Sequence, residues 1–226
     1  MVDFHAHILP CADHGSDSLE TSLKQIQFAK EAGVTTIIAT PHFYMNNDNL
    51  DDFLSRREKS YNELVSNLND NSISIIKGCE VSLQVDLFKL KNLKELCIEG
   101  TNYMLLEMPM KLNWTHWHYD AIDELISLGI EPIIAHINRY PSFYLKKLFE
   151  KDIMFQINIE AFTTLSSRIR MKKFFNKGYA NFIGSDIHGA NPDYYDFMKK
   201  YSKKYNDMFR IFEFNSLNIL KSIKKS

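Results

Sequence analysis

The chain has 226 residues, of which 45% are hydrophobic and 24% are charged, and its formal net charge is −1. This length and composition are typical of one globular domain that can build a core without disulfides or a structural metal. There is no basic excess of the kind that nucleic-acid binding requires, so we expect no nucleic-acid partner. We interpret residues 1–226 as a single domain.

The three cysteines, Cys11, Cys79 and Cys97, are odd in number and show no C-x-x-C spacing, which favours a reducing compartment. None is followed six residues later by arginine, so the signature of cysteine-dependent phosphatases is absent. No apolar run reaches the length of a membrane span, and no signal peptide is recognisable. We therefore expect a cytoplasmic protein without membrane insertion.

Short apolar, β-rich runs alternate with amphipathic runs along the chain. The pattern predicts strands over residues 2–8, 35–39, 73–81, 103–108, 132–137, 154–159 and 180–184. It predicts helices over residues 18–32, 50–68, 117–128, 142–151 and 168–177, with helical material in most of the remainder. Strands that alternate with helices form parallel sheets, and several of these strands are apolar on both faces, as in covered sheets.

About seven strand–helix units follow one another without a linker, a repeat or a low-complexity segment. This organisation favours one closed or nearly closed α/β barrel, with an open doubly wound sheet as the structural alternative. The basic residues at 221–225 are interpreted as a solvated helix end.

Side chains that bind metals stand at the end of almost every predicted strand, or in the loop behind it. They are His5, His7, His14, His42, Glu80, Glu107, His136, Asp186 and His188. The carboxyl ends of parallel strands open on one face of the sheet, so these residues are expected to converge. His5 and His7 are two residues apart on a strand and share a face.

Imidazole and carboxylate together suit Zn, Mn or Fe. Nine ligands are too many for one ion, so two or three ions with Glu80 as a bridge are the economical interpretation. Metals about 3.5–4 Å apart can clamp a phosphate and supply a hydroxide nucleophile. Taken singly, each His is more often a core residue and each Asp a helix cap; their common placement favours the metal site.

Three further features carry alternatives. Arg139 follows His136 and could grip phosphate oxygens bidentately, or form a surface ion pair. The aromatic stretch Trp114 to His118 is interpreted as a helix start with aromatic packing, with a substrate-facing lid as the alternative. The proton donor to the leaving group stays open between Asp13, a ligand histidine and a metal-bound water.

Seven segments together resemble the polymerase and histidinol phosphatase (PHP) family, most like the bacterial manganese-dependent protein-tyrosine phosphatases of capsule and exopolysaccharide clusters. The segments are Asp3-Phe4-His5-Ala6-His7-Ile8-Leu9-Pro10, Asp13-His14-Gly15, Ala39-Thr40-Pro41-His42, Gly78-Cys79-Glu80, Leu106-Glu107-Met108-Pro109, Ala135-His136 with Arg139-Tyr140, and Gly184-Ser185-Asp186-Ile187-His188. The resemblance implies a distorted (β/α)7 TIM-like barrel of the PHP type. It also implies a trinuclear site that most often holds Mn²⁺, with Fe, Zn, Co or Mg as other possibilities.

The resemblance also implies how the ligands are shared. One ion is held by His5, His7, Glu80 and Asp186, the second by Glu80, Glu107 and His136, and the third by His14, His42 and His188. Arg139 matches a position that helps to bind phosphate. The implied reaction is attack of a metal-activated hydroxide on phosphotyrosine, and the implied partner is the tail of a bacterial tyrosine kinase that regulates capsule or exopolysaccharide synthesis.

Two other functions are kept as hypotheses. His14 stands where these tyrosine phosphatases usually have Asp, and Asn191-Pro192-Asp193 occupies the place of a second phosphate-binding Arg. These departures favour a small-molecule phosphomonoesterase such as a histidinol phosphatase. The third hypothesis is a metal-stabilised module that binds a partner kinase without catalysis.

Overall fold

The computed structural model of the chain describes residues 1–68, 72–110 and 113–221. Within them, strands and helices alternate over most of the chain. The helices are α1 (Leu19–Glu31), α2 (Leu50–Ser66), α3 (His116–Ser127), α4 (Ser142–Leu148), α5 (Leu165–Asn176), α6 (Asp193–Lys204) and α7 (Asn206–Leu220). The strands are β1 (Val2–Ala6), β2 (Thr36–Ala39), β3 (His42–Phe43), β4 (Ser74–Lys77), β5 (Glu80–Ser82), β6 (Tyr103–Glu107), β7 (Glu131–Ile134), β8 (Met154–Asn158) and β9 (Phe182–Gly184).

All strand pairings in the described part of the chain are parallel, in the orders β1-β2-β4 and β3-β5-β6-β7-β8-β9. The two groups continue into each other, because β2 leads into β3 through Thr40 and Pro41, and β4 leads into β5 through Gly78 and Cys79. Backbone bonds run between these connections: the Gly78 N–H donates to the Ala39 carbonyl at 2.8 Å. The predicted parallel α/β class is confirmed.

The outer strands β1 and β9 meet through the loop that follows β9. The N–H of Asp186 donates to the His5 carbonyl at 2.7 Å, and the N–H of His7 donates to the Ile187 carbonyl at 3.3 Å. The sheet is therefore curled, and the end of β1 lies beside the end of β9.

Several predicted strands end or break earlier than their apolar patterns indicate: the strand predicted over 2–8 ends at Ala6, and two others differ more clearly. The predicted strand 73–81 is interrupted at Gly78 and Cys79, and the predicted strand 132–137 ends at Ile134. The second difference has a backbone cause, because His136 takes a left-handed conformation with φ 33°. His42, predicted to follow the second strand, begins a short strand of its own.

The helix boundaries follow their capping residues. Ser18 accepts the Thr21 N–H at the start of α1, as an N-cap serine does. The helix predicted over 168–177 begins at Leu165, because Thr164 caps it by accepting the Ser167 N–H. The helix predicted over 142–151 ends at Leu148. The basic end predicted beyond residue 221 lies outside the described residues.

The predicted helix start near Trp114 is confirmed. Thr115 and His118 form a capping box, in which the Thr115 N–H donates to His118 Nδ1 at 2.9 Å. The Trp114 ring is buried against Tyr119, Tyr140 and Tyr144. The segment therefore serves as packed structure at the base of α3.

Apolar clusters lie on both faces of the sheet. Neighbouring residues of one strand belong to different clusters. Ile37 joins the larger cluster, which also contains helix residues such as Ile26 and Phe53, whereas Ile38 joins the smaller one. The smaller cluster contains residues of five strands and of helix α7. It includes Phe4, Ile38, Leu105, Ile133, Phe182, Ile219 and Leu220. Burial of each such side chain stabilises the fold by about 1.5–3 kcal/mol.

Candidate metal centre

The end of β1 places two histidines against two carboxylates. His5, His7, Glu80 and Asp186 are all buried, and one ligand atom from each lies within 4.8 Å of the others. The two Nε2 atoms are 3.0 Å apart. The pairing of β1 with β2 shifts register between Asp3 and Ala6, and such an irregularity re-aims side chains next to active sites.

The distances among these four atoms resemble those between ligands of one ion. Glu80 Oε2 lies 3.2 Å from Nε2 of both His5 and His7. Asp186 Oδ1 lies 3.4 Å from the first Nε2 and 3.2 Å from the second. Metal–nitrogen bonds are about 2.0–2.1 Å long, which puts ligand atoms of a shared ion about 3–3.5 Å apart.

Glu80 stands between two sets of imidazoles. Its Oε2 faces His5 and His7 and also lies 3.0 Å from His42 Nδ1, while its Oε1 lies 2.7 Å from His136 Nε2. The two oxygens of one carboxylate thus point to different ligand groups. This is the arrangement expected of a bridging residue.

Two more groups of converging donor atoms overlap the first. One contains His42, Glu80 and Glu107, and the other contains His7, His42 and His188. His136 belongs beside the former, since its Nε2 lies 3.6 Å from Glu107 Oε1. The residues predicted to share three ions therefore lie in one cluster.

His14 lies at the edge of this cluster and differs from the predicted grouping. Its ring stacks on His42 with centroids 4.9 Å apart and lies 4.7 Å from His188. Among the described residues, the converging third group contains His7 in its place. The role of His14 as a ligand stays a prediction.

Two residues of the cluster are held in a backbone conformation that non-glycine residues rarely adopt. His136 has φ 33° and Asp186 has φ 54°. Such residues persist where the surrounding structure holds them, and they gather at functional sites. Each lies two residues after the end of a strand, β7 for His136 and β9 for Asp186.

The electrostatics of the cluster favour bound cations. Burial opposes protonation of His7, but its hydrogen bond with Asp13 and the nearby carboxylates of Asp186 and Glu80 outweigh it and raise its pKa well above the ordinary value. Burial and the neighbouring Glu80 charge raise the pKa of Glu107 to about 7. The carboxylates thus concentrate negative charge that a divalent ion would compensate.

The surroundings of His188 favour its neutral form, which is the form that binds metals. Burial, together with the charge of His7, lowers the pKa of His188 to about 4. Its Nδ1 lies 3.0 Å from the Asp186 carbonyl and donates to it, which leaves Nε2 without a proton. Ligand histidines in metalloproteins are usually oriented by such a bond.

Buried polar atoms without hydrogen bonds test whether metal ions fit this cluster. His42 Nδ1, Glu80 Oε2 and His188 Nε2 are buried and have no hydrogen-bond partner in suitable geometry among the described residues. Buried polar atoms are normally paired, so each of these needs an explanation. Imidazole and carboxylate donors that point at a common space fit divalent ions of the Mn, Fe and Zn type.

Asp13 contacts the cluster from behind. Its Oδ2 accepts from His7 Nδ1 at 2.7 Å and from the His42 N–H at 2.8 Å, and its Oδ1 accepts from the Gly15 N–H at 2.9 Å. Burial would raise the pKa of Asp13, but its bond and charge interaction with His7 lower it below the ordinary range. This geometry favours an orienting role; proton donation by Asp13 stays a prediction.

Arg139 lies at the rim of the cluster with a third of its side chain exposed. Its Nη1 is 2.7 Å from Asp186 Oδ2, and its Nε donates to Glu160 Oε1 at 2.8 Å. The ion-pair alternative is thus present, beside a candidate ligand. Binding of phosphate by Arg139 stays a prediction.

Several contributors to the site were missed by the sequence analysis. Gln156 and Asn158 are buried polar residues on β8 that contact His5 and Asp186. Gln25 of α1 donates to the carbonyls of His7, Gly15 and Gly189. The signal for the first two was their period-two spacing in an otherwise apolar strand.

The whole described length of the sequence matches one protein family. The family model described as "Capsular polysaccharide synthesis, CpsB/CapC" covers residues 1–221. The chain belongs to the CpsB/CapC family.

Named relatives of this CpsB/CapC-family chain are tyrosine-protein phosphatases. It is 29% identical over 208 residues to the tyrosine-protein phosphatase CpsB of Streptococcus agalactiae serotype III (strain NEM316), covering 84% of each chain. It is 27% identical over 240 residues to CpsB of Streptococcus pneumoniae, covering 92% of this chain and 95% of that protein. It is 27% identical over 203 residues to YwqE of Bacillus subtilis (strain 168), covering 84% of this chain and 78% of that protein.

The fold is shared with solved structures of the same family. A chain from the crystal structures of YwqE from Bacillus subtilis and CpsB from Streptococcus pneumoniae, described as unique metal-dependent tyrosine phosphatases, matches with a TM-score of 0.76. The match covers 98% of this chain and 95% of that chain at 20% identity, which shows the fold. In the part of the CpsB/CapC-family chain that the structure describes, no helix is long and apolar enough to cross a bilayer.

Proposed function

We propose that this chain is a metal-dependent protein-tyrosine phosphatase that hydrolyses phosphotyrosine. The observation that carries the proposal is the set of three overlapping donor groups, two of which share Glu80, in a chain of the CpsB/CapC family. The named tyrosine-protein phosphatases among its relatives support the reaction class. The absent cysteine signature agrees with hydrolysis that does not pass through phosphocysteine.

The proposed cofactor is a set of two or three divalent ions, with Mn²⁺ the first choice. His5, His7, Glu80 and Asp186 would hold one ion. The remaining ions would be held by residues that the structure gathers around Glu80 and His42, namely Glu107, His136, His7, His188 and, at the edge, His14. Bound ions of this kind neutralise phosphate charge and lower the pKa of a coordinated water.

The chain's own side chains then have separate tasks. Asp13 holds His7 in the tautomer that exposes Nε2, because its carboxylate accepts the Nδ1 proton. Arg139 presents a planar guanidinium at the rim, suited to phosphate oxygens. A phenolate leaving group has an ordinary pKa of about 10 and needs little protonation. The proposed proton donors are Asp13, a ligand histidine and a metal-bound water.

The partner, location and architecture are proposed together. The substrate is a phosphotyrosine protein, for which the tail of a bacterial tyrosine kinase is the proposed source, and the location is the cytoplasm. The architecture is a distorted (β/α)7 barrel of the PHP type over residues 1–226. Counting β2 with β3 and β4 with β5 gives seven strand paths among the described residues, and the contact of His5 with Asp186 joins the ends.

The test compares substrates on protein that has been stripped of metal and reloaded with Mn²⁺. The substrates are p-nitrophenyl phosphate, a phosphotyrosine peptide and histidinol phosphate. We expect metal-dependent hydrolysis of the peptide, with kcat/KM reduced more than about 100-fold by Asp186→Ala, since a ligand is lost. Arg139→Ala should reduce it about 10–100-fold, because a charge-assisted bond to phosphate contributes about 1.5–3 kcal/mol.

Arg210→Ala is the matched control, because Arg210 is an exposed arginine on α7. Its kcat/KM should equal that of the wild type. Activity confined to histidinol phosphate would replace the proposal by a small-molecule phosphatase. Absence of activity with every metal would favour a binding module.

A further inference from the structure

Strand β8 contributes two amides to the metal centre but no candidate ligand. Gln156 and Asn158 are two residues apart, so their side chains share a face. Both are fully buried. Buried amides require complete hydrogen bonding, and the partners of this pair lead to two candidate ligands.

The orientation of Gln156 is set by a backbone donor. The His136 N–H can only donate, and it lies 2.7 Å from Gln156 Oε1. The same oxygen lies 3.3 Å from His5 Nδ1. Since a carbonyl oxygen only accepts, His5 must carry its proton on Nδ1, which leaves its Nε2 as an unprotonated atom facing Glu80 and Asp186.

The amide of Asn158 links Gln156 to Asp186 by hydrogen bonds. Gln156 Nε2 donates to Asn158 Oδ1 at 2.8 Å, so the Asn158 nitrogen points the other way. That nitrogen, Nδ2, donates to Asp186 Oδ2 at 2.8 Å, the oxygen that also lies 2.7 Å from Arg139 Nη1. Oδ2 is thereby occupied, and Oδ1 is the oxygen that faces the imidazoles of His5 and His7.

A glycine on β9, the strand between β8 and β1, makes the contact between Gln156 and His5 possible. Strand β9 runs beside β8, and Gly184 pairs with Asn158. A Cβ at Gly184 would lie 2.5 Å from His5 Cβ and 2.8 Å from Gln156 Nε2. Only a residue without a side chain leaves room for an amide of β8 to contact a histidine of β1 across β9.

We propose that Gln156 and Asn158 are positioning residues of the metal centre. Gln156 selects the His5 tautomer that ligates through Nε2, and Asn158 occupies one Asp186 oxygen so that the other one ligates. This rests on the metal centre of the proposed function. Partners that orient metal ligands contribute about 10–100-fold to metal affinity.

The experiment measures binding of Mn²⁺ alone to metal-free protein by isothermal titration calorimetry. Gln156→Met and Asn158→Leu keep the side-chain size but remove the amide. We expect each to raise the Kd for the tightest Mn²⁺ by about 10–100-fold. Asn181→Leu is the matched control, because the Asn181 amide accepts the Phe155 N–H of the same strand, away from the cluster; its Kd should equal that of the wild type.

The outcomes separate the two proposals. Wild-type protein that binds no Mn²⁺ would overturn both the metal centre and the positioning role. Folded variants with wild-type Kd would overturn only the positioning role, as would an equal weakening by Asn181→Leu. A second measurement does not depend on the variants folding: ¹⁵N-histidine spectra of Zn²⁺-loaded wild type should show His5 protonated on Nδ1, and protonation on Nε2 would overturn the proposal.

Discussion

At the scale of single residues, candidate ligands at the centre are held by other side chains. Asp13 accepts from His7 Nδ1, and Asn158 donates to Asp186 Oδ2. The imidazole and the carboxylate therefore have little rotational freedom before an ion arrives. Ligands that are oriented in advance lose less conformational entropy on binding, which is why the residues behind the ligands matter for affinity.

Asp13→Asn tests whether Asp13 orients or donates a proton. Its bond and charge interaction with His7 lower the pKa of Asp13 below the ordinary range, which favours the orienting role. We expect kcat/KM to fall about 10–100-fold through loss of His7 orientation, with the alkaline limb of the pH–rate profile unchanged. A profile whose alkaline limb disappears in the variant would instead identify Asp13 as the acid; Asp17→Asn, at an exposed carboxylate of the same loop, is the control.

The cysteines differ in environment and should differ in reactivity. Burial raises the pKa of Cys79 to about 11, although Arg57 opposes this, and burial raises the pKa of Cys97 to about 12. The thiolate is the reactive form, so at pH 8 both stay protonated and inaccessible. Cys11 is exposed.

We therefore expect one thiol to react with Ellman's reagent in native protein at pH 8 and three in denaturant. Cys11→Ser should leave none reactive in the native state. Rapid reaction of a second thiol in the native protein would contradict the burial of Cys79 and Cys97.

At the scale of elements, the irregular parts of the sheet coincide with the metal centre. The shift in β1, the break between β4 and β5, and the left-handed residues after β7 and β9 all lie beside candidate ligands. A regular ladder would alternate every side chain between two faces. The irregularities direct side chains from several strands to one point.

Gly184→Ala tests the element-scale packing of β8, β9 and β1. Its methyl group would overlap His5 Cβ and Gln156 Nε2, so we expect a loss of about 1–3 kcal/mol in the free energy of unfolding. Weaker Mn²⁺ binding should accompany it, since His5 must move. Urea unfolding and metal titration measure the two effects.

Gly78→Ala is the comparison for Gly184→Ala. A Cβ there would meet Ile38 Cγ2 at 3.1 Å and Thr40 Cγ2 at 3.4 Å, which are side-chain methyl groups. Gly78→Ala should therefore lower the free energy of unfolding less than Gly184→Ala does. Equal costs would show that the contact with His5 and Gln156 is not the cause.

At the scale of the whole molecule, we expect metal binding and folding to be coupled. The donor atoms come from strands β1, β3, β5 and β6 and from the loops after β7 and β9. No short stretch of the described chain holds a complete donor group. Ions that bind only the folded state stabilise it by mass action. Without them, the buried carboxylates repel one another, as the raised pKa of Glu107 indicates.

Metal removal should therefore lower the melting temperature. A ligand at 100 times its Kd adds about 2.7 kcal/mol, which corresponds to about 5–10 °C for a chain of this size. Calorimetry of chelated and Mn²⁺-reloaded protein measures the shift. Asp186→Ala should abolish most of it, and an unchanged melting temperature after verified metal removal would contradict the coupling.

The sequence by itself determined the class of the fold and the identity of the candidate ligands. Alternating apolar runs predict strands and helices because the two elements have different periods. His5, His7, Glu80 and Asp186 could be selected because the ends of parallel strands share one edge. Helix starts such as Ser18 were readable because capping is a local interaction.

Only the tertiary structure decided which side chains meet and in what orientation. The packing of the loops after β1 and β9 decides that His7 lies with His42 and His188. It also places His14 at the edge of the metal-ligand cluster. The period-two spacing of Gln156 and Asn158 marks a polar strand face but does not identify a metal site, because their role arises from the gap left by Gly184 on a neighbouring strand. Contacts between strands distant in sequence depend on sheet curvature and register, which local residue patterns do not specify.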